Sequence, residues 1–135
     1  MEEWLQTEWP DLEVYLTSVT EQWAVATLSG PNAGKILQDA GIDFDLSPAE
    51  FPFMSMKEGH IGGLAGRIFR ISFTGELSYE INVAARHGLA LWTRLMAAGK
   101  AHGITPYGTE AMHVLRAEKG FIIVGQETDG SVMPY

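Results

Sequence analysis

Alternating apolar and polar side chains predict a β-strand most clearly at Ser78–Val83. Because successive side chains of a strand point to opposite faces, Tyr79, Ile81 and Val83 would share one face. The opposite face carries polar side chains, and Glu80 lies at its centre. The pattern therefore predicts a half-buried strand that presents a carboxylate away from the core.

Further strands are predicted where β-branched and aromatic residues are dense. Leu12–Ser18 and Gln22–Ser29 are separated by a short polar link, which predicts a hairpin. The glycines of "GHIGGLAG" separate two strand-like arms, the second running through Phe69 to Phe73, and "TGEL" is a tight turn before Ser78. The apolar run "FIIVG", Phe121–Gly125, predicts a buried strand.

Three helices are predicted from capping residues and helical periodicity. The first lies between Pro31, a good first helical residue, and Gly41, a good stop. The second runs from Ala85 to about His102, and the third begins with Thr109 as its N-cap and ends before a glycine at position 120. In the second helix an apolar stripe is predicted, made of Leu89, Trp92 and Met96 with Leu91 and Leu95 beside it.

The order of these elements predicts an α+β fold with an antiparallel sheet built from hairpins and packed helices. The length of 135 residues fits one domain with its own core, spanning 1–135. No closing element follows the last predicted strand, so we expect a truncated domain cut from a longer polypeptide.

Composition and charge narrow the classes of function. The net charge of −8 disfavours nucleic-acid and anionic-membrane partners. The absence of cysteine removes disulfides and thiolate chemistry. The acidic N-terminus is unlike a signal peptide, and no apolar run approaches the roughly 20 residues of a spanning helix. We expect a soluble, cytoplasmic chain.

Two common site motifs are incomplete in this sequence. The segment "LSGPNAGKIL" lacks the first glycine of a phosphate-binding loop, where Ser29 stands, and the magnesium-binding hydroxyl, where Ile36 stands. The four histidines have no zinc-binding spacing, so no metal site is predicted.

The segment "FTGELSYE", Phe73–Glu80, leaves two interpretations open. A carboxylate on the polar face of a strand is most often simply solvated. A fixed carboxylate also matches a guanidine-like N–C–N edge, such as that of a pterin, because two acceptor oxygens meet two donors. The rings of Tyr79 and Phe73 are candidates to line the slot of a flat heterocycle.

At these residues the chain resembles the aminomethyltransferase (glycine-cleavage T-protein) family of tetrahydrofolate-binding domains. That family carries "YTGEDGxE" and, some thirty residues later, "ARDxLRLEAG"; here the segments read "FTGELSYE" and "EAMHVLRAEKG". "LSGPNAGKIL" is similar to the strand-to-helix junction of the family. Two longer segments resemble the aminomethyltransferase-like regions of heterotetrameric sarcosine oxidases. They are "VYLTSVTEQWAV" and "HGITPYGTEAMHVLRAEKGFIIVGQETDG".

The resemblance implies a folate-binding set in the turn and the strand that follows it. The pterin-holding glutamate falls on Glu80, and Phe73 replaces the tyrosine of the family, keeping the ring without the hydroxyl. The complete implied set is Phe73, Thr74, Gly75, Tyr79 and Glu80.

Supporting positions are implied on the helix of the second motif. The "ARD" arginine of the family falls on Met112, so that charge is absent or supplied elsewhere. Arg116 and Glu118 match the later arginine and glutamate, for which we expect a mainly structural role. Nothing in the chain matches the catalytic aspartate of the family, so no catalytic residue is assigned and an incomplete enzyme is expected.

The resemblance also implies a function within a larger enzyme. It is the capture of the one-carbon unit from oxidative demethylation of sarcosine as 5,10-methylenetetrahydrofolate. Tetrahydrofolate would bind to this chain, whereas flavin and NAD would bind only to other segments or subunits. Those segments or subunits would be the partners of this chain. A stand-alone aminomethyltransferase and a docking module with a vestigial folate site remain alternatives.

Overall fold

The computed structural model describes residues 1–131 and contains one four-stranded sheet. The spatial order of the strands is β1-β4-β3-β2, and every neighbouring pair is antiparallel. The α+β architecture predicted from the order of elements is confirmed. The strands are β1 Trp23–Ser29, β2 Met56–Ile61, β3 Leu64–Phe69 and β4 Ser78–Ala84.

Four α-helices accompany the sheet, and short 3₁₀ turns at 20–22, 85–87 and 100–102 join some of the elements. Within the described residues, no helix has the length and apolar content needed to cross a membrane. The helices are α1 Glu2–Thr7, α2 Ala33–Asp39, α3 Gly88–Gly99 and α4 Thr109–Glu118.

The core lies between one face of the sheet and two of these helices, α2 and α3. The alternation predicted for β4 is confirmed, because Tyr79, Ile81 and Val83 are fully buried on this face. Burial of such side chains stabilises the fold by about 1.5–3 kcal/mol each. The other core side chains include Leu28, Ile36, Leu37, Phe51, Ile61, Ile68, Leu91 and Leu95.

Local turn chemistry explains the elements that the sequence placed correctly. Gly62 and Gly63 both adopt positive φ between β2 and β3, as a two-residue hairpin turn requires. Gly41 and Gly120 adopt positive φ just after α2 and α4. The starts of these helices differ slightly from expectation, because α2 begins two residues after Pro31 and α4 is preceded by Gly108.

The predicted hairpin between Leu12–Ser18 and β1 is wrong. Residues 12–18 belong to no strand and are exposed throughout, with Tyr15 94% accessible. Strand propensity depends on packing against neighbours, and no strand of the described residues pairs with this segment.

The predicted strand at Phe121–Gly125 is also wrong. It makes only an isolated bridge between Val124 and Thr128, and Val124 is 83% exposed. The carbonyl oxygen of Phe121 accepts a hydrogen bond from Arg116 and is not part of a ladder. An apolar run without a neighbouring strand remains a loop.

The predicted apolar stripe of α3 points in a different direction from the one expected. Leu91 and Leu95 face the core, whereas Leu89 is 79% and Trp92 50% exposed. The sheet contacts only one side of this largely apolar helix, so periodicity alone does not select the buried stripe.

Candidate functional site

Glu80 lies on the face of the sheet opposite to α2 and α3 and is the central residue of the candidate site. It is partly buried, whereas every other acidic residue of the chain is exposed. Its carboxylate has no hydrogen bond or ion pair with any of residues 1–131. A carboxylate that is withdrawn from solvent and lacks a partner is a candidate for ligand recognition.

The neighbours of Glu80 across the sheet are Thr27 on β1 and Phe69 on β3. Residues directly opposite in an antiparallel ladder share a face, with their Cβ atoms about 5 Å apart. The carboxylate therefore lies between a hydroxyl on one side and an aromatic ring on the other.

Tyr79 does not share a face with Glu80. Its ring is 2% exposed and stacks on Phe51, with the ring centroids 6.1 Å apart. Burial raises the pKa of the Tyr79 phenol above its ordinary value, although the Arg70 charge opposes this shift. The structure thus places Tyr79 in the core and not in a slot beside the carboxylate.

The turn at residues 73–77 precedes β4 and packs against the end of α4. Phe73 is partly buried, and Thr74 is 2% exposed with no hydrogen-bond partner for its hydroxyl among the described residues. Gly75 has φ 77°, a left-handed conformation that favours glycine, and an added Cβ would contact the Lys119 side chain. The turn is thus held at a fixed position beside the end of the helix.

The three candidate residues on α4 have different surroundings. Arg116 is buried and donates to the Phe121 carbonyl oxygen at 3.0 Å, and it also pairs with Glu127. The hydrogen bond from Arg116 holds the pKa of the Glu127 carboxyl below its ordinary value. Glu118 is exposed, and Met112 is partly buried. These contacts of Arg116 order the segment after α4, and the structure does not bring Arg116 or Glu118 into contact with Glu80.

A cleft of about 630 Å³ lies along the free edge of β1, and the sequence pattern did not predict it. Thr27, the cross-strand partner of Glu80, lines it, and so does Met112. Its walls come from β1, the start of α2, the side chains of α3 and the loop before α4. Among residues 1–131, no Asp, Glu, Lys or Arg lines this cleft.

The one histidine of the cleft, His102, is held by an acidic residue outside it. Its Nε2 lies 2.7 Å from Oδ2 of Asp39. The cleft therefore combines apolar and aromatic walls, chiefly Trp92, Ile104 and Tyr107, with polar side chains that include Thr27, Asn32 and Thr105. This lining suits a ligand with an apolar or aromatic body.

The sequence of the chain matches a protein family and several known proteins. The model of the GCVT N-terminal domain family matches residues 1–135. The chain is 53% identical over 135 residues to "Sarcosine oxidase subunit alpha" of Corynebacterium sp. (strain U-96), covering 99% of this chain and 14% of that protein. It is 37% identical over 125 residues to "Aminomethyltransferase" of Chlorobaculum parvum (strain DSM 263 / NCIMB 8327), covering 90% of this chain and 33% of that one.

The chain therefore spans about one seventh of the length of the sarcosine oxidase subunit that it resembles. The similarity to the alpha subunit of these oxidases, which was expected from the quoted sequence segments, is confirmed. A solved structure, "Heterotetrameric Sarcosine Oxidase from Corynebacterium sp. U-96 in complex with pyrrole 2-carboxylate", has a similar fold. Its TM-score is 0.62 at 21% identity, covering 78% of this chain and 52% of that one. The chain belongs to the GCVT N-terminal domain family.

Proposed function

We propose that this chain is the tetrahydrofolate-binding portion of a sarcosine oxidase-type enzyme, with Glu80 holding the pterin ring. The proposal rests on two properties of Glu80. It is the one acidic residue that is partly buried, and its carboxylate has no hydrogen-bond or ion-pair partner within residues 1–131. Membership in the GCVT N-terminal domain family supports a folate-related role for this position.

The chemistry of the carboxylate fits the edge of a pterin. An exocyclic amino group and an adjacent ring N–H are two parallel donors, and an ionised carboxylate offers two acceptor oxygens. Phe69 lies beside Glu80 and Phe73 lies in the turn before β4, and either ring is suited to contact a flat heterocycle.

The cleft at the edge of β1 is suited to the remainder of the ligand. It begins at Thr27, one strand away from Glu80, and its apolar walls match an aromatic linker. Its lining lacks a cation because Met112 stands where the resemblance expects an arginine. Carboxylates of the ligand would therefore remain in solvent or meet another part of the enzyme.

The proposed role is one half of a two-part reaction. Oxidative demethylation of an N-methylated amino acid, with a flavin elsewhere in the enzyme as the oxidant, would release formaldehyde. Tetrahydrofolate, when bound, would supply two nitrogens that take up this carbon as 5,10-methylenetetrahydrofolate, and the formaldehyde oxygen would leave as water with the two N–H protons. The residues of this chain would bind and orient the acceptor. The flavin and NAD sites and the catalytic aspartate would belong to other segments or subunits.

Isothermal titration with folinate, a stable reduced folate, tests the proposal. Glu80→Gln keeps the size of the side chain but replaces one acceptor oxygen by a donor, so we expect affinity to fall roughly 5- to 150-fold, a loss of about 1–3 kcal/mol. Glu58→Gln is the matched control, because Glu58 is exposed on β2 and pairs with Arg67.

Absence of binding by the folded chain, or equal affinity for the wild type and Glu80→Gln, would contradict the proposal. A docking module without a ligand is the second candidate. It is favoured by the exposed apolar side chains of residues 1–22, among them Trp4, Trp9 and Leu12.

A further inference from the structure

The α3 groove is an open depression of about 700 Å³ along the solvent-exposed side of α3. Its walls are mainly apolar and include Leu64, Leu89, Ala90 and Ala97. Leu89 is strongly exposed there, and exposed apolar surface of this kind is typical of sites where another protein segment binds. The groove shares no lining residue with the cleft at the edge of β1, so it is separate from the site proposed for folate.

Two arginines on the wall of the α3 groove have no acidic partner. Arg86 lies in the turn before α3 and Arg94 on the helix itself, and both are exposed. No carboxylate of residues 1–131 lies within ion-pair distance of either guanidinium. A Cβ added at Gly62 would meet the Arg94 guanidinium, which places this charge over the β2–β3 turn, next to the groove residue Leu64. The groove therefore combines apolar walls with cationic groups whose hydrogen-bond donors are free.

The single acid that lines the groove within the described residues does not cancel this charge. It is Asp39, and its Oδ2 atom lies 2.7 Å from Nε2 of His102. Because the lining includes two guanidinium groups and one carboxylate, the groove keeps a net positive charge. It suits a segment in which carboxylates alternate with apolar side chains.

Such a segment is present in the same chain. Residues 1–22 contain six of the 17 acidic residues and none of the nine basic ones. Apart from the partly buried Leu5, every residue of this segment is exposed, including the large side chains of Leu12 and Tyr15. Trp4 and Trp9 stack with their ring centroids 5.9 Å apart, and each remains about half exposed. The segment therefore presents an acidic and aromatic surface to solvent.

We propose that residues 1–22 of one copy of this chain dock in the α3 groove of a second copy, and that the exchange is reciprocal. Each copy carries both the segment and the groove, so a two-fold axis forms the same contact twice, and exchange of an identical element is a low-cost route to a closed dimer. Carboxylates of the segment pair with Arg86 and Arg94, and its apolar side chains cover Leu89. The 22 residues of the segment are comparable to the roughly 20–30 residues that each side of a standard interface contributes.

The net charge of −8 on each copy does not prevent this contact. At physiological salt the Debye length is about 8 Å, so charges far from the interface are largely screened, whereas pairs in contact are screened much less. The local match between the acidic segment and the arginines of the groove therefore decides the association. Reversal of the charge on either side should weaken it.

Sedimentation velocity of the 135-residue chain, over roughly 1 to 200 µM in 150 mM salt, tests the inference by mass action. We expect a monomer–dimer equilibrium in which the dimer is the largest species. The groove variant Arg86→Glu/Arg94→Glu and the segment variant Glu3→Arg/Glu8→Arg should each dimerise at least tenfold more weakly. An equimolar mixture of the two variants should dimerise as the wild type does, because each segment then meets a groove of opposite charge.

A charge control and an apolar variant complete the experiment. Lys35→Glu/Lys100→Glu changes the net charge as much as the groove variant does, at exposed lysines outside the groove, and should dimerise like the wild type. Trp4→Ser/Trp9→Ser should weaken the dimer at least tenfold. This variant keeps the test valid if Arg94→Glu disturbs the β2–β3 turn, since both tryptophans lie in the exposed segment.

Four results would overturn the inference. They are a chain that stays monomeric at the highest concentration, association that continues beyond the dimer, a tryptophan variant that dimerises like the wild type, and a mixture of the two reversed variants that stays monomeric. Equal weakening by the lysine control would do the same, because it would assign the effect to net charge and not to the groove.

Discussion

Thr27 lies directly across from Glu80 in the β1–β4 ladder, and Thr27 also lines the cleft along the free edge of β1. This single pair connects the partly buried carboxylate to the cavity in which a larger ligand has room. A ligand held by Glu80 and extending into the cleft has to pass over Thr27, because this residue lies between the carboxylate and the cleft.

Substitution of Thr27 by lysine should therefore reduce folinate affinity. The ammonium group would pair with Glu80 across the ladder, and opposite charges at facing positions stabilise a sheet by about 0.2–1 kcal/mol. We expect about fivefold weaker binding by calorimetry, with the melting temperature unchanged or slightly raised. Thr93→Lys, on the exposed side of α3, is the control and should bind as the wild type does. If Thr27→Lys binds folinate as tightly as the wild type, the ligand does not contact both Glu80 and the cleft.

Tyr79 should affect stability and not ligand binding. Its hydroxyl makes no hydrogen bond within residues 1–131, and its ring stacks on Phe51. Tyr79→Phe should change the free energy of unfolding by less than about 1 kcal/mol, whereas Tyr79→Ala should cost about 3–5 kcal/mol. Urea denaturation measures both, and folinate titration of Tyr79→Phe should match the wild type. A loss of affinity as large as that of Glu80→Gln would place the hydroxyl in the site.

Met112→Arg should tighten the binding of ligands that carry carboxylates. The substitution places a guanidinium in a cleft that has no charged lining residue, where an ion-paired hydrogen bond contributes about 1.5–3 kcal/mol. We expect folinate affinity to rise about tenfold, and the gain to fall with added salt. Val114→Arg, exposed on the same helix, controls for net charge. An equal gain in both variants would indicate general charge attraction instead of contact in the cleft.

The Asp43–His60 pair should make part of the stability dependent on acid. Asp43 accepts hydrogen bonds at 2.8 Å from both the backbone N–H and the ring Nδ1 of His60. The backbone hydrogen bond, followed by that of the ring, lowers the pKa of the Asp43 carboxyl below its ordinary 3.8. Because the folded-state value is the lower one, the stabilisation is present above about pH 4 and is lost as the pH falls through the folded-state value.

Melting temperatures of Asp43→Asn and the wild type should therefore differ at pH 6 and converge as the pH falls through the lowered pKa of the Asp43 carboxyl. Asp11→Asn is the matched control and should follow the wild type throughout, because the Asp11 carboxylate is exposed and has no hydrogen bond within residues 1–131. A difference for Asp43→Asn that stays constant with pH would show that the two hydrogen bonds do not depend on the charge of the carboxylate.

Elements fixed by local chemistry were predictable from the sequence. The β2–β3 hairpin is determined by Gly62 and Gly63, and α2 ends where Gly41 adopts positive φ. Leu12–Ser18 and Phe121–Gly125 have the composition of strands but lack a neighbouring strand in the described chain. Composition shows that a segment is suited to a sheet, whereas pairing depends on which other segments are present.

The candidate site was predictable only in part. Alternation in β4 placed Glu80 on the polar face and Tyr79 on the other, which already argues against one slot lined by both. The partial burial of Glu80, its pairing with Thr27 and the cleft depend on segments distant in the sequence. The loop through Tyr107, which forms one wall of the cleft, carries no periodicity that could have indicated this position.

The contact of Ser29 with Ser78 at the end of the β1–β4 ladder has a consequence for the order of folding. The two hydroxyl oxygens lie 2.8 Å apart although the residues are 49 positions apart in the chain. Joining β1 to β4 requires closure of a long loop, whereas the β2–β3 hairpin closes locally, and closure entropy slows the first step relative to the second. The chain should acquire the register that positions Glu80 late in refolding, so binding competence should appear in the slowest phase.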